Sequence, residues 1–204
     1  MVARRLGLPL SPVEPVRLCP LPSPLYTVLL GYKESAVAEA RERFGAIVRV
    51  LLGTFLAAHA GRIDAMVGGS LDLVALVPST RRPGSAPLGL VDGVGCDVVA
   101  ALPGARWAPD LLRRAGTPGG PPPVAHMRPD PAAFSPRTEN GDAPVAGARV
   151  ALLDDLYVTG ARSQSAAAAL LRAGARTVLI VPIGRVLRPD RIALHADFLR
   201  RHVA

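Results

Sequence analysis

At 204 residues the chain has the length of a single domain and can bury a sizeable core, and with half its residues apolar it excludes disorder of the whole. Aromatics make up only 4%, so that core must be built mainly from Ala, Leu and Val. The formal charge of +8 suits a nucleic acid or a small polyanion as partner and says little more. Residues 1–30 are punctuated by proline and read as an irregular N-terminal or hood segment, with one short strand over Leu25 to Leu30. Residues 31–204 read as one α/β domain. From Glu34 to Ala60, Val37, Phe44, Ile47, Val48, Leu51 and Phe55 recur at helical spacing, and Gly61 is the expected stop. Leu71 to Val77, ended by Pro78, has the length of a buried strand, and a second helix is expected from Leu88 to Leu102. The stretch from Pro103 to Gly147, with "TPGGPPP" at Thr117 to Pro123, lacks periodicity. It reads as a flexible loop or hood insertion over 104–146. Order returns with a strand at Arg149 to Leu153, a helix at Ala161 to Ala173, a strand at Thr177 to Pro182 and a last helix from Pro189 to Arg201. Strand, helix and strand in so short a span form a βαβ unit with parallel strands and a right-handed crossover. The fold class is α/β, an open and mostly parallel sheet flanked by helices.

The apolar stretch from Val50 to Gly61 lies between Arg49 and Arg62 and falls short of the roughly 20 residues a bilayer requires. Pro9, Pro12, Glu14 and Pro15 interrupt anything resembling a signal-peptide hydrophobic region, so the cytoplasm is the expected location. Cys19 and Cys96 make neither a disulfide framework nor a metal cage, and His59, His126, His195 and His202 lack metal-ligand spacing with them. The arginines come as dispersed pairs (Arg4-Arg5, Arg81-Arg82, Arg113-Arg114, Arg200-Arg201) and Lys33 is the sole lysine. Nucleic-acid binding is therefore not the favoured reading.

The most informative segment is "VALLDDLYVTGARS", Val150 to Ser163. In a parallel sheet, ligands sit beyond the carboxyl ends of the strands, which is where Asp154 and Asp155 stand. Adjacent strand residues point to opposite faces, so both acids serve one ligand only if the backbone turns there. Ionised carboxylates only accept hydrogen bonds, and two together suit a metal ion or a vicinal diol. The segment after them offers the opposite chemistry: N–H groups opening a helix, the hydroxyls of Thr159 and Ser163, and Gly160 for close approach. Such a helix start receives anions. A diol beside a phosphate describes a ribose 5-phosphate.

The segment resembles the phosphoribosyl-pyrophosphate (PRPP) signature of type I phosphoribosyltransferases. The resemblance implies the fold of that family and a Mg²⁺-assisted displacement of pyrophosphate at ribose C1 by a nitrogen nucleophile. It implies that Asp154 and Asp155 take the ribose hydroxyls and serve catalysis. Val158, Thr159, Gly160, Ala161, Arg162 and Ser163 would wrap the 5-phosphate. The family usually has a hydroxyl where Val158 and Arg162 stand, and an aliphatic residue at Tyr157. "VPSTRRPGS" after the earlier strand is similar to the family's pyrophosphate loop, which makes Ser79, Thr80, Arg81 and Arg82 candidates, since arginines neutralise and bridge phosphate oxygens. "LLGYKES" ahead of the long helix looks like the ComF-like and amidophosphoribosyltransferase-like members. Mg²⁺ is expected to ride on PRPP and water, with Asp154 and Asp155 at most indirect, and a homodimer is expected. Gly119 and Gly120 are candidate flap hinges; His126, Arg128 and Glu139 are candidate flap residues that read first as structural or solvated and are not named as catalytic. Trp107 is read as packing before base stacking, and Ile183 to Arg188 as the acceptor-facing strand. The alternative is a nucleotide-sensing regulator or nucleic-acid-binding protein with this fold and no transferase activity.

Overall fold

A computed structural model of the chain describes residues 5–79, 88, 91–114, 128–137 and 145–188. Despite its prolines, the N-terminal segment is built of regular elements. Arg17–Pro20 is strand β1. Ser23 and Pro24 then open helix α1, Pro24–Glu34: the Ser23 hydroxyl accepts from the Tyr26 N–H at 3.3 Å, and proline has no N–H to leave unsatisfied at a helix start. Leu25, Val28, Leu29 and Tyr32 fall on the face that meets the core. This corrects the strand expected over Leu25 to Leu30, because a short apolar run cannot choose between strand and helix and the Ser-Pro cap decides it. The boundary expected at residue 30 falls inside α1.

Helix α2 spans Ala38–Val67 and buries Val48, Leu52, Phe55, Leu56, Ile63 and Val67. It starts later than expected and runs through Gly61. The true stop is Gly68 at φ 72°, whose N–H reaches the Ala65 carbonyl while that of Gly69 reaches Asp64. By length and composition α2 is apolar enough to cross a membrane, so it exceeds the dozen residues read between Arg49 and Arg62. Here one of its faces packs on the sheet.

Strand β2 is Leu73–Leu76, and helix α3 is Val94–Ala101, shorter than the expected 88–102. The stretch read as structureless contributes three short strands, β3 (Arg106–Ala108), β4 (Leu112–Arg114) and β5 (Phe134–Pro136). The βαβ unit consists of β6 (Arg149–Tyr157), α4 (Ala161–Arg172) and β7 (Thr177–Leu187), both strands extending beyond their expected ends. The expected helix over 189–201 lies outside the described residues.

The main sheet has the order β1-β7-β6-β2-β3 and every pairing in it is parallel; β4 and β5 form a separate antiparallel pair. Strand alternation sorts the core into two layers. Val74, Leu76, Ala151, Leu153, Leu179 and Val181 face α1, α2 and α3, whereas Leu73, Ala75, Val150, Leu152, Val178 and Ile180 face α4 and the β4–β5 pair. From β2 the chain passes through α3 on one face to the edge strand β3. From β6 it passes through α4 on the other face to β7, in the opposite direction. Neighbours β2 and β6 thus form a topological switch point, where a parallel sheet opens a crevice at the carboxyl ends of its strands.

Candidate functional site

The acid pair lies inside β6, not at its end. Alternation carries Asp154 towards α4, where the Ser163 hydroxyl donates to its Oδ2 at 2.6 Å. It carries Asp155 towards α1, where the Tyr32 hydroxyl donates at 3.3 Å and Lys33 Nζ forms an ion pair with the same Oδ2. The backbone stays extended through the acids and turns at Thr159-Gly160 as expected, and beside the acids themselves a side chain reunites them. Arg162 Nη2 donates to Oδ1 of Asp154 at 2.6 Å and of Asp155 at 3.0 Å. Alternation lapses only afterwards, since Leu156 packs on the same layer as Asp155.

Two carboxylates and two cations make the cluster neutral, and both acids are buried, at 2% and 1% exposure. Their electrostatics diverge. Burial pushes the Asp154 carboxyl above the ordinary range, outweighing the pull of Arg162, and the charge of Asp155 adds to the rise. Burial opposes ionisation of Asp155 too, but Lys33 and Arg162 together outweigh it and hold that carboxyl low. Asp154 and then Asp155 lock the proton on Arg162, against burial. Burial and the charge of Asp155 keep the Tyr32 phenol protonated.

The turn at 158–160 follows. Val158 and Thr159 are exposed, and the Thr159 hydroxyl accepts from the Ala161 N–H at 3.3 Å. Gly160 has φ 77°, and a Cβ there would stand 2.1 Å from the Tyr157 hydroxyl, so both backbone and space require glycine. The Tyr157 ring is covered by Arg185, whose Cζ lies 4.8 Å from its centroid. Of the segment expected to wrap a phosphate, Val158 to Arg162 form the turn and first helical residues of α4, but the Ser163 hydroxyl is turned inward to Asp154.

Register places the second loop beside the first. Leu76 is level with Leu153, and the Val77 N–H donates to the Leu153 carbonyl at 2.9 Å, so Val77 to Ser79 leaves β2 alongside the acid pair. Ser79 is buried there. Thr80, Arg81 and Arg82 lie outside the described residues, as do Gly119, Gly120, His126 and Glu139. Compared with known proteins, the chain matches no family model and no curated protein.

Arg128 is exposed, away from any contact with the acids, while nearby Asp130 docks on α4 through its N–H and the Ser165 hydroxyl at 2.9 Å. Trp107 packs: a Cβ on Gly95 would lie 2.6 Å from its Nε1, and its ring abuts the α2-side core. Sequence reasoning missed Tyr32 and the pairing of Lys33. Two signals were available: Tyr32 and Lys33 lie in the "LLGYKES" stretch that resembles the family, and Lys33 is the only lysine in a chain that otherwise uses arginine. Each acid already holds a cation, so these residues do not fit a directly coordinated Mg²⁺. Among the described residues no group of three or more His, Cys, Asp or Glu stands ready to hold a metal ion.

Proposed function

We propose that the protein is a type I phosphoribosyltransferase that displaces pyrophosphate from PRPP with a nitrogen nucleophile, a base or an amine. One juxtaposition carries this reading: paired carboxylates near the carboxyl end of β6 run into the glycine turn and helix start of α4, at the switch point beside the β2 loop. In this reading Asp154 and Asp155 accept the ribose hydroxyls, and the N–H groups of 158–163 receive the 5-phosphate. Ser79 with Thr80, Arg81 and Arg82 neutralises the pyrophosphate as it leaves. The bond to the leaving group breaks ahead of attack, leaving oxocarbenium character at C1, so the chain contributes position and electrostatics more than covalent chemistry. No step is assigned to a protein-held metal; any Mg²⁺ would arrive on the pyrophosphate.

The test is pyrophosphate release from PRPP against a panel of bases and amines, with and without Mg²⁺. Release with at least one acceptor is expected, and Asp154→Asn with Asp155→Asn should abolish it while circular dichroism shows a cooperative unfolding transition. No release with any acceptor overturns the transferase. One observation favours a second reading, a nucleotide-sensing regulator of the same fold: the acids are covered by the protein's own cations. That reading predicts PRPP or nucleotide binding without turnover, and binding to duplex DNA or RNA that weakens steeply with salt.

A further inference from the structure

We propose that Arg162 is a latch on the acid pair, released by the phosphate group of the ligand; this rests on the phosphoribosyl reading and says how that site opens. The side chains of Asp154 and Asp155 are 1% and 0% exposed, so neither can meet a sugar hydroxyl while the guanidinium stays in place. Something must move, and the two cations, 18% exposed at Lys33 and 25% at Arg162, differ less in exposure than in which oxygens they cover. Lys33 enters from α1 on the opposite layer and holds Oδ2 of Asp155, away from the Oδ1 atoms that Arg162 covers. Arg162 is 25% exposed and springs from the second residue of α4. Its backbone therefore sits where a phosphate would be received, while its tip sits where the diol would be.

The guanidinium has a better partner within reach. Both of its contacts to the acids run through one nitrogen, Nη2. A phosphate dianion at the start of α4 offers two oxygens to the planar fork in a bidentate pair. When Arg162 turns to the phosphate, Asp155 keeps Lys33 and Tyr32, and Asp154 keeps Ser163. Each Oδ1 still accepts a backbone N–H, from Asp155 for Asp154 at 3.0 Å and from Leu156 for Asp155 at 2.9 Å, so the lone pair that Arg162 gives up on each is what adjacent hydroxyls would use. A free sugar cannot open the latch, so the chain selects phosphorylated pentoses by coupling one half of the ligand to the other. This gives a role to the arginine that stands where the family it resembles has a hydroxyl.

Two measurements test it. Carbodiimide coupling of an amine to exposed carboxyls, mapped by mass spectrometry, should leave Asp154 and Asp155 unlabelled in the free protein. Saturating inorganic phosphate should raise their labelling at least fivefold, and ribose 5-phosphate, which brings its own hydroxyls, should not. In calorimetry, Arg162→Met should bind free ribose at least tenfold more tightly than the native protein, a gain that mere loss of a phosphate contact cannot produce. If ribose 5-phosphate binds, yet phosphate exposes neither acid and Arg162→Met gains nothing for ribose, the latch is wrong and the site stands. If neither phosphate nor ribose 5-phosphate binds the native protein at millimolar concentration, the site reading falls and takes the latch with it. Should Arg162→Met fail to fold, labelling of the native protein decides alone.

Discussion

Asp154 and Asp155 are neighbours in the chain, yet their pKa values shift in opposite directions, because burial dominates at Asp154 while Lys33, reaching Asp155 from the other layer, joins Arg162 to outweigh burial there. An unfolded Asp titrates near pH 4. Burial lifts Asp154 to about 6, so the native state keeps that proton where the unfolded chain has lost it. Its contribution to stability is then greatest below pH about 4 and declines as the pH rises to about 6. Asp155 is held down to about 2 by Lys33 and Arg162 against its burial, so its contribution is present above pH about 4 and is lost as the pH falls towards 2. Unfolding midpoints measured from pH 3 to 8 should therefore show a decline between 4 and 6 that Asp154→Asn removes; an unchanged slope in the variant would assign that titration to another group. At Gly160 two constraints coincide, a φ of 77° and the Tyr157 hydroxyl 2.1 Å from any Cβ. Gly160→Ala should cost about 1–3 kcal/mol in denaturant unfolding, the range for a non-glycine residue held in left-handed backbone. Tyr157→Ala in the same chain should recover only the steric part.

Helix α1 is the element whose position matters most to the site, because it delivers Tyr32 and Lys33 to Asp155. Lys33→Met leaves Asp155 with Arg162 and Tyr32, so it should be destabilising by less than the about 3–5 kcal/mol of a fully stranded buried charge, and adding Asp155→Asn should restore much of that loss. If the double variant is no more stable than Lys33→Met alone, the pair does not hold α1. Helix α2 carries the contrary case. Gly61 lies mid-helix, and a methyl group there would have nothing within 4 Å among the described residues, so the missing side chain makes room for no neighbour. Gly61→Ala should stabilise the protein by about 0.5–1 kcal/mol, read as a raised midpoint in urea. The sequence was legible where local pattern and global packing agree. The first part of β6, Val150 to Leu153, and β7 from Val178 to Ile183 are almost wholly apolar because both their faces are covered, and the alanines of α4 let it lie close to the sheet. It was illegible where pairing comes from elsewhere. β1 is four residues in a proline-rich stretch, and only its register against Gly184 to Leu187 makes it a strand. The acid pair was visible, but which face each acid takes, and that Arg162 would close over both, depends on how far β6 continues before it turns.

At the scale of the molecule, the proposed ligand would touch loops that leave β2 and β6, the neighbouring strands from which the chain departs in opposite directions. Each loop belongs to a different crossover, one carried by α3 on the first layer and the other by α4 on the second. A ligand held by both loops binds only when these crossovers are in place together, so its binding energy appears as stability of the whole fold. At a PRPP concentration about a hundredfold above its dissociation constant, the native state gains about 2.7 kcal/mol. For a chain of this size that corresponds to a rise in melting temperature of about 5–10 °C. Free ribose at the same concentration should produce no rise, because the acids stay covered. Asp154→Asn with Asp155→Asn should lose most of the PRPP shift, since the charged acceptors for the diol become neutral amides while the helix start of α4 remains. A full shift retained in that double variant would place the ligand away from the acid pair, and the crevice between β2 and β6 would then need another occupant.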